Sequence, residues 1–196
     1  DTPAKEKAYQ KHIQCYLKAA GHMAPPLEIV RIPYEGKEII GYLRVPNTPR
    51  PPVVLVTGGV DMFKSDLELG IRPMLEQGLA VLAIDMPGTG ESQWSLATES
   101  ERVYHRVIEY LQTRPDLDGE RLGVFGFSFG GYWAIRLALT RPEVKASVNV
   151  GGPIALSFTP EHMGKLPKIM AKTITHAMRL DGRLTDNEAA AKVRNF

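Results

Sequence analysis

The chain has one cysteine, Cys15, among its 196 residues. A single thiol cannot close an internal disulfide, so the fold does not depend on an oxidising compartment, and a cytoplasmic protein is expected. Long apolar runs are also missing. The longest fall well short of the ~20 residues that a membrane-spanning helix requires, and no basic-then-apolar signal segment opens the chain. Excess charge of one sign is scarce: 24 Lys and Arg against 22 Asp and Glu leave a formal net charge of +2, with both signs spread along the sequence. That balance gives no electrostatic footprint for nucleic acid or an anionic membrane, and neither partner is expected. Internal repeats and low-complexity tracts are absent as well. What is present is 43% hydrophobic residues in a chain long enough for one domain with a substantial core. Cys15 lies in an amphipathic stretch with nothing nearby to activate it, and is expected to be a buried structural thiol. The first residue is Asp1 and not methionine, which reads as a processed or partial chain.

Residues 4–20 place Ala8, Ile13, Tyr16, Leu17 and Ala20 near one helical face, with Gly21 as a stop, so a helix precedes the core. Leu27–Pro33 and Lys37–Val45 are β-like runs joined through Glu35-Gly36, and read as a hairpin of antiparallel edge strands. From Pro52 the pattern changes. Val53–Val56, Leu79–Ile84, Leu122–Phe127 and Val144–Val150 read as strands buried on both faces. Helices are expected between them at about 65–77, 98–113 and 129–140. In the last, Ala134, Ile135, Leu137, Ala138 and Leu139 should pack on the sheet, with Arg141-Pro142 as the stop. Strands alternating with helices at this spacing specify right-handed crossovers and a mostly parallel sheet, the α/β class. After Pro153 the rhythm breaks. Residues 160–180 and 185–194 read as two helices around Asp181-Gly182, with Thr185 as N-cap of the second. A helical segment that follows a strand, above the carboxyl edge where ligands bind, suggests a cap. The expected divisions are a helical segment over 1–24, an α/β core over 25–155 and a cap segment over 156–196.

The chemistry centres on Gly126-Phe127-Ser128-Phe129-Gly130-Gly131. It has the form G-x-S-x-G between a β-like run and an alanine-rich helical run, where a serine sits on a sharp strand-to-helix turn with its hydroxyl exposed at the top of the sheet. The bare pattern is weak; its context makes Ser128 a candidate nucleophile rather than a serine in an ordinary tight turn. An acyl-transfer nucleophile needs donors aimed at the developing oxyanion. The Phe129 backbone N–H is the natural first, and the Gly58-Gly59-Val60-Asp61 loop supplies a second, Val60 ahead of Gly59; the alternative is that the two glycines merely turn the chain. Asp61 follows that loop and could contact substrate or cap the loop. Asp85 to Ser92 lacks the lysine of a Walker motif and the spacing of a dinucleotide site, so it reads as a structural turn beside the elbow. A serine also needs a base held by a carboxylate. His12, His22 and His105 read as surface or core-edge residues, while His162 and His176 fall in the cap segment; none stands out as that base. Lys165, Lys168, Lys172, Arg179 and Arg183 make the cap segment basic. This reads as a solvated face, with preference for an anionic or aromatic substrate as the alternative.

With Thr57-Gly58-Gly59-Val60-Asp61, Ile84-Asp85-Met86-Pro87-Gly88-Thr89-Gly90 and the elbow in this order, the chain resembles the α/β-hydrolase superfamily over about residues 25–155. Together with the preceding helix and the helical segment after Gly151-Gly152, these motifs resemble the branch that contains the fermentation-respiration switch protein FrsA and 2,6-dihydroxypseudooxynicotine hydrolase. The resemblance implies a serine hydrolase with Ser128 as nucleophile, the Val60 and Phe129 amides as oxyanion hole, and neither metal nor organic cofactor. A small carboxylic ester or related acyl compound is the implied substrate. Carbon-carbon hydrolysis of a diketone-like substrate and a non-catalytic regulatory role are the alternatives. Oligomeric state is left open. In that superfamily the acid follows a later strand and the histidine comes near the domain end, and no stretch after Ser128 reads as either strand. The implied acid and histidine then lie beyond residue 196, in a longer hydrolase.

Overall fold

The computed structural model describes residues 2–154, 157, 159, 161–162, 165–180 and 191–192. Helix α1, Pro3–Ala20, starts at Thr2, whose hydroxyl accepts from the Lys5 N–H, and ends at Gly21. Strands β1 (Leu27–Tyr34) and β2 (Lys37–Arg44) form the hairpin, turning through Glu35 and Gly36, both at positive φ. β3 (Pro52–Thr57) and β4 (Ala80–Ile84) are joined by a short 3-10 turn at Lys64–Leu67 and helix α2, Glu68–Glu76. Helix α3 (Glu101–Thr113), β5 (Asp118–Phe127), helix α4 (Phe129–Thr140) and β6 (Val144–Val150) follow, and helix α5 spans Lys168–Ala177.

The strands form one mixed sheet in the order β1-β2-β4-β3-β5-β6. β3 to β6 run parallel, while β2 lies antiparallel to both β1 and β4. The hairpin is therefore not a pair of edge strands: β1 is the edge, and β2 is interior because its Gly41–Arg44 half pairs with Val81–Ile84. All five residues of β4 are buried, as a Val, Leu, Ile and Ala run sandwiched between helical layers should be. β6 departs from expectation. Among the described residues only β5 pairs with it, so Val148 and Val150 are 44% and 42% exposed, although Ser147 still donates to Ala134 O of α4 at 2.8 Å.

α4 keeps its expected face only in part. Ala134 and Leu137 pack inward as expected, joined by Tyr132 and Trp133, while Ala138 and Leu139 are exposed. The first turn is buried on all sides by the loops above the sheet, which moves the apolar stripe toward its N-terminal end. On α1 the inward residues are Ile13 and Ala20, and Cys15 is exposed, contrary to expectation, because it lies off that stripe. Glu101 joins α3 to α4. Burial alone would raise its pKa, but bonds from the Thr140 hydroxyl, Arg136 and His105 hold the carboxyl below the ordinary range. Among the described residues no helix is long and apolar enough to cross a membrane.

Candidate active site

Parallel strands β3, β4 and β5 end side by side, with Thr57 opposite both Ile84 and Gly126, so their loops meet at one edge of the sheet. β5 ends at Phe127 and α4 starts at Phe129, leaving Ser128 alone to turn the chain. It does so at φ 51° and ψ −127°, a conformation L-residues avoid unless their surroundings impose it. Those surroundings are backbone. The Ser128 N–H donates to Val150 O at 2.8 Å, and its carbonyl accepts from the Gly131 N–H at 2.8 Å. A Cβ at Gly126 would lie 2.0 Å from Gly130 O, and one at Gly130 would lie 2.5 Å from the carbonyl oxygens of Thr57 and Gly58. Only glycine permits this approach on both sides of the serine.

After Thr57 the chain makes a tight turn over Gly59–Met62, closed by the Met62 N–H to Gly59 O at 3.4 Å. Gly59 faces the serine: a Cβ there would sit 2.7 Å from Ser128 Cβ, 2.8 Å from Ser128 Oγ and 3.3 Å from the Phe129 nitrogen. The Gly59 backbone, the Ser128 hydroxyl and the first N–H of α4 therefore border one small space. Val60, next in the turn, is 7% exposed and packs in the core, while Asp61 is exposed to solvent. A hydroxyl held beside backbone N–H groups at a helix N-terminus can attack a carbonyl carbon and have the resulting charge met by fixed donors.

Three of the histidines are engaged elsewhere. Among the described residues nothing hydrogen-bonds Ser128 Oγ: His12 Nε2 is 2.7 Å from Ser65 Oγ, His105 Nε2 is 3.2 Å from Glu101, and His162 Nδ1 is 2.8 Å from Thr159 Oγ1. His22 is exposed, and His176 is half-buried on α5. Asp181, Gly182, Arg183 and Thr185 lie outside the described residues, as does most of the second helix expected over 185–194.

One cluster beside the site is not foreshadowed by any motif. Lys64, two residues past the Gly59–Met62 turn, has a fully buried side chain whose ammonium donates to Asp85 Oδ2 at 2.5 Å and Glu91 Oε2 at 2.6 Å. Its backbone N–H donates to Asp85 Oδ1 at 2.8 Å, and the Glu91 N–H donates to Asp85 Oδ2 at 2.9 Å. The ammonium also lies 4.7 Å from the centre of the Tyr42 ring. The Asp85 loop, expected as a turn beside the elbow, is thus bonded to the chain that follows the β3 loop. Burial, then the charges of Asp85 and Glu91, drive the Tyr9 phenol well above its ordinary pKa, and burial with the same carboxylates raises Tyr42. Helix α1 closes the cluster, with Tyr9 against Phe63 at 4.6 Å and Tyr16 stacked on Tyr42 at 5.3 Å. A charged residue at position 64 gives no hint of burial by composition. The available signal is positional: the pairing of β3 with β4 brings the chain after Thr57 beside the aspartate that ends β4.

α5 docks on the same loop. Ala177 O accepts from the Leu96 N–H at 2.8 Å, and Ile174 and Ala177 share a hydrophobic cluster with Met86, Leu96, Phe129 and Tyr132.

Comparison with known proteins agrees with this architecture. A family model described as Esterase FrsA-like matches residues 5–193. Esterase FrsA of Vibrio cholerae is 37% identical over 164 residues, which cover 77% of this chain and 40% of that protein. Esterase FrsA of Photobacterium profundum is 28% identical over 187 residues, 93% of this chain and 44% of that protein. The chain therefore spans less than half the length of these relatives. Among solved structures, 2,6-dihydroxy-pseudo-oxynicotine hydrolase superposes with a TM-score of 0.86 at 25% identity, covering 97% of this chain and 53% of its own. AbyA5 superposes with a TM-score of 0.85 at 22% identity, covering 100% of this chain and 57% of its own, a likeness of fold.

Proposed function

Because the chain belongs to the FrsA-like esterase family, we propose that it forms part of a serine hydrolase that cleaves a carboxylic ester or related small acyl substrate through an acyl-enzyme on Ser128. The observation that carries this reading is the closeness of Gly59 to both Ser128 Oγ and the Phe129 nitrogen. In the proposed reaction Ser128 Oγ attacks the ester carbonyl while a base takes its proton. The carbonyl oxygen becomes an oxyanion that the Phe129 N–H and a β3-loop amide, Val60 or Gly59, stabilise. The tetrahedral intermediate collapses, the alcohol leaves with the proton, and water then hydrolyses the acyl-enzyme.

The base and its acid are outside the described residues in this reading, and belong to the full-length protein. We assign Asp61, exposed at the turn, to substrate contact. Residues 156–196 act as a helical cap over the core of 25–155, supported by the docking of Ala177 on Leu96, with 1–24 as a supporting segment. We place the enzyme in the cytoplasm on the strength of its single cysteine. The resemblance of the fold to a hydrolase named for 2,6-dihydroxy-pseudo-oxynicotine keeps carbon-carbon hydrolysis of a diketone-like substrate as the second reading, since the same nucleophile and donors would serve it.

Rapid mixing of the full-length protein with p-nitrophenyl butyrate should release a burst of nitrophenol equal to the enzyme concentration, followed by slower turnover, and Ser128→Ala should show neither. A folded full-length protein that turns over neither aryl nor alkyl esters would overturn the ester reading. Turnover of a β-diketone alone would select the second.

A further inference from the structure

Lys64 contributes nothing to the chemistry proposed above, yet it is the most completely buried cation among the described residues, at 1% exposure, and it stands two residues after the turn that faces Ser128. Burying an ammonium is expensive unless it is paired and hydrogen-bonded, so its partners define what it is fixed to. Asp85 holds it twice over. One carboxylate oxygen takes the backbone N–H of Lys64 and the other takes the ammonium, so both the main chain and the side chain at position 64 are tied to the end of β4. Asp85 is itself fixed by the Glu91 N–H, and a Cβ at Gly90 would lie 2.3 Å from the Asp85 carboxyl carbon, so its loop wraps the carboxylate tightly.

The β3 loop is thus anchored at both ends. At one end Thr57 belongs to β3, paired with Ile84 and Gly126, and at the other Lys64 is clamped to Asp85. Between them the Gly59–Met62 turn has one internal backbone bond, at 3.4 Å. One long bond holds the turn only lightly within itself, so its position depends on its outside attachments, the packing of Val60 in the core and the clamp on Lys64. The outer side is closed by α1, whose Tyr9 packs on Phe63 and whose His12 bonds Ser65. The hydroxyls of Tyr9 and Tyr42 are buried without a hydrogen-bond partner among the described residues, so the aromatic wall is there to enclose the ion cluster and not to bond it.

We propose that Lys64 and Asp85 are positioning residues for the reaction, fixing the Gly59–Met62 turn so that its backbone N–H groups meet the oxyanion formed at Ser128. This rests on the serine-hydrolase reading and adds the device that sets its donor geometry. The prediction separates the nucleophile from the donors. In the full-length protein, Lys64→Met and Asp85→Asn should lower kcat for p-nitrophenyl butyrate about tenfold to a hundredfold with KM within about twofold, the size of a misplaced rather than a deleted oxyanion donor. Affinity for an alkyl trifluoromethyl ketone, whose adduct carries the oxyanion, should fall in the same proportion. Thermal unfolding, followed in parallel, identifies any variant that does not fold; should Lys64→Met be lost in this way, Asp85→Asn carries the test, because Lys64 keeps Glu91 as a partner. Folded variants with wild-type kcat and unchanged ketone affinity would overturn the proposal. So would loss of fold in both, since the pair would then hold the domain and not the turn. Failure of the wild-type protein to hydrolyse esters or to bind the ketone would instead sink the hydrolase reading.

Discussion

Gly59→Ala in the full-length protein should lower kcat/KM for ester hydrolysis by about a hundredfold to a thousandfold while leaving the fold intact. The methyl would enter the space between the β3 turn and the elbow, 2.7 Å from Ser128 Cβ and 2.8 Å from its Oγ. Real carbon atoms do not approach so closely, so either the turn retreats or the serine rotates. Retreat removes a β3-loop donor from the oxyanion, and loss of one such donor costs about 10²–10³ in kcat. Rotation takes the hydroxyl off its line of attack, which costs a comparable amount for a displacement of about 1 Å. Gly123→Ala is the matched control, because a Cβ there meets nothing nearer than Ala146 O at 3.5 Å. Activity of Gly59→Ala close to that of Gly123→Ala would show that the β3 turn has no part in the reaction.

Ser128→Gly should abolish turnover and stabilise the protein. Loss of a serine nucleophile lowers kcat by a factor on the order of 10⁶ in enzymes of this chemical class. The stability change has two opposing parts. Relief of the backbone strain at φ 51° and ψ −127° is worth ~1–3 kcal/mol, because glycine occupies that region freely. Greater freedom of glycine in the unfolded chain costs ~0.4–1 kcal/mol. Relief of strain outweighs that cost, and a net gain of about 1 kcal/mol is expected in urea unfolding. A variant less stable than the parent would mean that the elbow is held by contacts of the serine side chain and not in spite of its backbone.

Much of the fold can be read from local pattern. The Val, Leu, Ile and Ala runs of β3 and β4 announce strands covered on both faces, and Gly21, Glu35-Gly36 and Pro142 mark boundaries that the structure keeps. Pattern misleads where neighbours outweigh it. Val148 and Val150 of β6 resemble core residues in sequence, yet exposure depends on a flanking strand that only tertiary arrangement reveals. Leu139 and Cys15 mislead for a related reason: each sits on a helix whose buried stripe is set by what the helix lies against. At the site, the G-x-S-x-G spacing leads directly to the strained turn at Ser128, because few sequences satisfy that backbone conformation. Lys64 is invisible. Its burial depends on Asp85 and Glu91 arriving from another loop and on Tyr42 from another strand, and a lysine in isolation always reads as solvated.

The most direct test of Ser128 as the nucleophile is covalent labelling of the folded full-length protein with a fluorophosphonate, located by tandem mass spectrometry. One adduct per chain is predicted, on the peptide containing Ser128, formed in wild type and absent from Ser128→Ala. Labelling of another residue, or none in a protein that unfolds cooperatively, would contradict that role.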